Sequence, residues 1–165
     1  MDKLVYWPAD ILKRVSEPLT EAPDRQLVDT MVAVMRQHNG AGLSAVQIGH
    51  LKRLIVVDSG ALGPQVVVNP ILLEGSSAKV KRREGCLSVP GVFEEVLRHE
   101  SIVISYYDSG FQLHEKKTFH GFMAHVLQHE MEHLDGKLYL DHLTAAKRST
   151  ILGNMQKLRR AGKLR

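Results

Sequence analysis

Between residues 129 and 133 the chain reads His129-Glu130-Met131-Glu132-His133, and few runs of five residues constrain a structure so strongly. On a helix, residues four apart share one face, about a turn from each other. Two imidazoles so placed can close on one cation while Glu130 projects beside them as a base. The run therefore predicts a helix through Phe122-Met123-Ala124-His125-Val126-Leu127-Gln128 and onward, carrying two ligands of a zinc-type site.

Catalytic sites of this kind usually take three protein ligands and leave one position open for water. The stretch His133-Leu134-Asp135-Gly136-Lys137-Leu138-Tyr139 follows the extended H-x-x-G-x-x-H zinc pattern as far as its glycine, but Tyr139 stands where the third histidine belongs. A downstream glutamate is the other common solution, and none follows His133. His125 continues the four-residue ladder backward, yet eight helical residues separate it from His133 by about 12 Å. Ligands at about 2.1 Å from one metal cannot lie so far apart. The best remaining donor is Cys86, in Arg83-Glu84-Gly85-Cys86-Leu87-Ser88-Val89-Pro90. A lone cysteine is often only a small buried apolar residue, but the unmatched histidine pair turns the argument toward a Cys-His-His set. Asp141 and His142, just past the helix, are weaker rivals.

At 165 residues, with 44% hydrophobic and 24% charged side chains, the chain is expected to form one soluble domain, 1–165. Its start lacks the apolar core of a signal peptide and no later run approaches a membrane span. One cysteine permits no internal disulfide. A cytoplasmic protein with no membrane association is the expectation, as a monomer. Charge is unevenly placed: seven of the 22 basic residues follow His142, where no acid stands, so the remainder carries 15 basic residues against all 18 acidic ones. Residues 143–165 read as a basic C-terminal helix and tail. Its helix, Ala145 to Leu158, has Ile151, Met155 and Leu158 on one side and cations on the other. Such a face suits a phosphate backbone, with ribosomal RNA as the candidate partner.

Elsewhere, Leu27, Val28, Met31, Val32, Val34 and Met35 mark a helix that stops at Gly40. Extended signals follow at Leu54–Val57, Gln65–Val68, Ser101–Tyr107 and Phe111–Phe119, the last two joined through Asp108-Ser109-Gly110 as an antiparallel hairpin. Strands grouped between helices, not alternating with them, predict an α+β fold. Arg98 and Glu84 are candidates for a structural ion pair. His38, His50, His99, His114, His120 and His142 read as surface or satisfied residues.

One stretch is unusually rich in small residues: Gly40-Ala41-Gly42-Leu43-Ser44-Ala45-Val46-Gln47-Ile48-Gly49. It lacks the order of a phosphate loop, and composition alone suggests a tight helix-to-strand connection. Taken with Glu84-Gly85-Cys86-Leu87-Ser88 and Gln128-His129-Glu130-Met131-Glu132-His133-Leu134-Asp135-Gly136, however, it resembles the three motifs of the peptide deformylases, in their order and approximate spacing and over nearly the whole chain.

That resemblance implies antiparallel strands packed around a central metal-binding helix. It implies removal of the formyl group from N-formylmethionine on newly made polypeptides, with Fe²⁺ as the native metal and Ni²⁺, Co²⁺ or Zn²⁺ as substitutes. The helical C-terminus resembles that of the bacterial type, whose last helix docks on the ribosome. Cys86, His129 and His133 would hold the metal and leave a site for the attacking water, with Glu130 as general base and then acid. By resemblance the oxyanion donors are the Gln47 side-chain amide and the Leu87 N–H. Gly42 and Gly85 would let the substrate backbone lie along the site, and Phe122 and His125 would wall the methionine pocket. Two positions depart from the family pattern, which usually has Ala at Ser44 and Asp at Glu132; the added methylene of Glu132 sits beside the metal shell, where little change is tolerated. Two other readings compete. A metalloendopeptidase would cleave internal peptide bonds regardless of a formyl group, and a catalytically weak ribosome-associated relative would bind without releasing formate.

Overall fold

The computed structural model describes residues 4–58, 60 and 63–163. Helix α1 spans Arg25–Gln37, starting where the Asp24 carboxylate accepts the Gln26 N–H at 2.7 Å. Its apolar side, Leu27, Met31, Val34 and Met35, is buried. The helix ends two residues before Asn39, which adopts a left-handed φ of 54°, and the Gly40 N–H then caps Met35 O. Seven strands follow: β1 (Gly42–Ser44), β2 (Leu54–Asp58), β3 (Pro64–Gly75), β4 (Lys79–Cys86), β5 (Val89–His99), β6 (Ser101–Tyr107) and β7 (Leu113–His120). Helices α2 (Gly121–Leu134) and α3 (Ala145–Arg160) complete the chain.

A five-stranded sheet runs in the order β1-β2-β3-β6-β7, while β4 and β5 pair as a separate ribbon, and all the pairings within both are antiparallel. The α+β arrangement expected from the grouping of strands is the one found. Strand β2 explains how the layers are held. Successive side chains leave a strand on opposite faces, so Leu54 and Val56 join the core under α1, and Ile55 and Val57 join the core under α2. All four are fully buried, which stabilises the sandwich by roughly 6–12 kcal/mol at 1.5–3 kcal/mol per side chain.

A third core gathers Trp7, Val89, Val96, Tyr139, Leu140 and Met155, with Ile151 and Leu152 packed against it. Helix α3 therefore docks through Met155 and Ile151 as its spacing predicted, but Leu158 lies 44% exposed at the outer end. Strand β4 escapes a reading of hydrophobic runs because it is KVKRREGC, and the one buried side chain it turns inward is the charged Glu84. Strand β4 ends at Cys86, whose sulfur reaches His133 of α2. Of the C-terminal segment, residues 164 and 165 lie outside the described residues. No helix among the described residues is long and apolar enough to cross a membrane.

Candidate metal centre

Two devices fix α2 in place. At its C-terminal end Gly136, with φ of 70°, donates to His133 O at 3.2 Å and the Lys137 N–H donates to Glu132 O at 2.9 Å, a Schellman closure that needs a residue free to take positive φ. In its middle, the Gln128 amide takes the backbone of His99 at both ends: Oε1 accepts the His99 N–H at 3.1 Å and Nε2 donates to His99 O at 2.9 Å. The helix is thereby tied to the end of β5.

On that helix the His129 and His133 rings meet edge to face, centroids 5.0 Å apart. From the end of β4, where a bulge breaks the register between Gly85 and Cys86, the Cys86 sulfur reaches 3.2 Å from His133 Nε2. One ligand atom from each of Cys86, His129 and His133 lies within 4.8 Å of the others. A tetrahedral ion with bonds of about 2.3 Å to sulfur and about 2.1 Å to nitrogen has S···N edges of about 3.5 Å, so the three side chains fit such an ion with small adjustments. Burial opposes a charge on His129, but its contacts with Cys86 and Glu84 outweigh this and hold it well above the usual imidazole range. Burial, and then the charge of His129, push His133 well below it. A cation held by these side chains would have to displace a proton from His129, since a ligating nitrogen must be free of one.

The rivals are elsewhere: Asp141 accepts from Arg148 and from the Leu138 N–H, and His142 contacts Glu132. Tyr139, at the position of a third histidine, instead packs its ring 5.8 Å from His129 and donates its hydroxyl to Val92 O at 2.9 Å.

The cluster faces a cavity of about 500 Å³. Gly42, Gly85 and Cys86 line it from the strands, Gln47 from the 3-10 turn after β1, Leu87 from the turn between β4 and β5, and Phe122, His125, His129 and Glu130 from α2; His133 lies behind, fully buried. Glu130 is buried too, and the Ser44 hydroxyl, 2.7 Å from its Oε2 and 2.9 Å from its main-chain carbonyl, can give its one proton to the carboxylate. Burial pushes Glu130 above the ordinary carboxylate range, against the pull of His129 and Ser44, which suits a group that must take a proton near neutral pH. Gln47 begins inside the small-residue stretch, where residues 42–44 form β1 and Ala45–Ile48 a 3-10 turn. Its Oε1 accepts the Ser44 N–H at 2.9 Å, which leaves Nε2 pointing to Ser88 Oγ at 3.2 Å and Cys86 Sγ at 3.5 Å.

The two glycines are also required by the packing around them. A Cβ on Gly42 would meet Glu130 Cγ and Oε1 at 2.8 Å, and one on Gly85 would meet the Phe93 ring at 2.6 Å. Both line the cavity, but the space above each is needed by the protein's own side chains. Phe122 is 61% exposed at the rim, and His125 is buried at the wall.

Behind the cluster stands a charged network whose first pair, Arg98 with Glu84, was the expected one. Glu84 Oε2 accepts a hydrogen bond from His129 Nδ1 at 2.7 Å, which leaves Nε2 of that ring for a cation. Arg98 pairs with Glu84 through Nε and, at 3.0 Å, through NH2; it also binds both oxygens of Glu132 at 2.9 and 3.0 Å. Glu132 Oε1 lies a further 2.7 Å from His142 Nε2. The longer acid thus spans two partners. Ser44, Ser88 and the bridging role of Glu132 were missed from sequence; the signal for Ser44 and Glu132 was present only as departures from the resembled pattern, and Ser88 gave none.

The family model described as polypeptide deformylase matches residues 1–149. The peptide deformylase of Rickettsia akari (strain Hartford) is 41% identical, over 94% of this chain and 95% of its own, and that of Mesorhizobium japonicum is 39% identical, over 94% and 91%. The crystal structure of peptide deformylase from Ehrlichia chaffeensis in complex with actinonin superposes with a TM-score of 0.88 at 34% identity, over 94% of this chain and 95% of that one. The Plasmodium falciparum peptide deformylase complex with inhibitor gives 0.85 at 36%, over 96% and 99%. With sequence and backbone both followed through most of its length, this chain belongs to the polypeptide deformylase family.

Proposed function

We propose that the protein removes the formyl group from N-terminal formylmethionine of newly made polypeptides, and that the carrying observation is a sulfur and two imidazoles gathered at a cavity beside a buried glutamate. A divalent cation held by Cys86, His129 and His133 would supply a Lewis acid and sharpen the acidity of a water there. Fe²⁺ is the native ion of this reading, with Ni²⁺, Co²⁺ or Zn²⁺ able to substitute in a Cys-His-His site. Glu130 takes the proton of the attacking water and later passes it to the departing amine; its raised proton affinity and its Ser44 partner support that role. As charge grows on the formyl oxygen, the Gln47 amide and the Leu87 N–H stabilise it. The fixed Oε1 of Gln47 means that its donor end needs no reorientation. Gly42 and Gly85 border the path of the substrate backbone, and Phe122 and His125 the pocket for its first side chain.

In this reading the protein works in the cytoplasm as a single domain and a monomer. The exposed Lys157, Arg159, Arg160 and Lys163 of the C-terminal segment meet the ribosome. The test is formate release from a formyl-Met peptide by anaerobically prepared protein, with a chelator control and Glu130→Gln alongside. Chelation should abolish release, and Glu130→Gln should slow it by roughly 10²–10⁴-fold. Equal rates for Glu130→Gln and the unaltered protein would remove this mechanism, and cleavage of internal bonds regardless of the formyl group would replace it with an endopeptidase.

A further inference from the structure

Glu84 sits two residues before Cys86 on β4, and its carboxylate meets α2 twice. Oε2 accepts from His129 Nδ1 at 2.7 Å, and Oε1 lies 2.5 Å from the buried Nε2 of His125, one turn earlier on the helix. Arg98 takes the remaining capacity of both oxygens. A carboxylate has about four acceptor sites; here three nitrogens donate to it, two from Arg98 and one from His129, and the fourth neighbour, His125 Nε2, touches Oε1 as a close polar contact outside hydrogen-bond geometry. The side chains involved are all less than one-tenth exposed. The strand that carries the sulfur therefore meets two successive turns of the helix that carries the imidazoles, hydrogen-bonded at His129 and in close polar contact at His125. A contact at one turn leaves a helix free to rock about it; contacts at two turns fix its rotation and its slide. His125 is also a wall of the cavity.

We propose that His125 is a positioning residue for the metal site: by holding Glu84 from a second turn of α2, it sets the orientation of His129 and the distance of Cys86 from the two imidazoles. The inference rests on the reading of Cys86, His129 and His133 as the ligands. Partners of a ligating histidine typically change metal affinity by roughly 10- to 100-fold when lost, and His125 acts one step further out through the shared carboxylate.

The experiment loads the protein with Ni²⁺ and follows its loss to a competing chelator, with the thermal transition of the metal-stripped protein measured beside it. His125→Leu keeps the volume and removes the nitrogen; it should lose Ni²⁺ at least roughly tenfold more readily. His125→Gln places an amide nitrogen at nearly the same reach and should restore retention to within about threefold of the unaltered protein. A purely structural role would weaken both variants together and follow their thermal stability. Retention by His125→Leu equal to the unaltered protein, or a His125→Gln as leaky as His125→Leu, overturns the proposal. If His125→Leu does not fold, His125→Asn, whose amide is one methylene too short, takes its place against His125→Gln under the same criteria. Failure of the unaltered protein to bind one Ni²⁺ overturns the ligand reading and this proposal with it. Normal binding without formate release overturns the proposed reaction alone, and the His125 comparison is then decided by retention.

Discussion

Gln47→Met separates what the amide does for the fold from what it does for the reaction. Methionine keeps the length and bulk of the side chain and removes both polar ends. The Oε1 end is structural: it satisfies the Ser44 N–H at 2.9 Å in a buried setting. Losing that acceptor leaves a buried donor unpaired, at about 1–3 kcal/mol. The Nε2 end contacts Ser88 Oγ and Cys86 Sγ at 3.2 and 3.5 Å. These are long contacts, and their loss adds little. A fall in stability of about 2 kcal/mol follows, or roughly 4–8 °C in Tm for a domain of this size. Removal of one oxyanion donor costs about 2.7–4 kcal/mol of barrier, a 10²- to 10³-fold drop in turnover. Because that contact forms only as charge develops, kcat and kcat/KM should fall together with KM nearly unchanged. The assay is steady-state formate release at fixed metal content, with a thermal melt on the same sample. A kcat within threefold of the unaltered protein, alongside the expected loss of Tm, would confine Gln47 to the fold.

Two further outcomes follow from the framework around the site. Burial would raise the affinity of Glu84 for a proton, but contacts from His125, His129 and Arg98 outweigh it and hold the carboxylate far below its usual range. An unfolded glutamate titrates near 4.3, so this stabilisation is complete above that pH and is lost as the pH falls below it. The urea midpoint of metal-stripped protein should therefore decline from about pH 5 toward pH 3, and Glu84→Gln, less stable at neutral pH, should show a shallower decline; parallel acid limbs would contradict it. Gly136→Ala should cost about 2–5 kcal/mol by urea unfolding, combining a left-handed φ of 70° with a Cβ driven against the Lys13 carbonyl; a change below about 0.5 kcal/mol would show that the helix end relaxes freely.

Local patterns decided a good deal about this chain. The spacing of His129 and His133 required a helix and a shared face, whatever lay around it, and the hydrophobic periods of α1, β2 and β6 follow from residues within a few positions of each other. Elimination among the later residues left Cys86 as the best donor because it depended only on what the sequence lacks: a histidine at Tyr139 and a glutamate after His133. Strands β4 and β5 were not legible, since their cross-strand partners lie up to 20 residues apart and β4 carries charged side chains where an apolar alternation would have shown it. Only the folded chain decided that Glu84, 45 residues from His129, would sit behind it, that the hydroxyl of Ser44 would meet a carboxylate 86 residues on, and that Glu132 would bridge Arg98 to His142. Pairing of this kind is a matter of where three layers bring side chains in space, and no interval along the sequence encodes it.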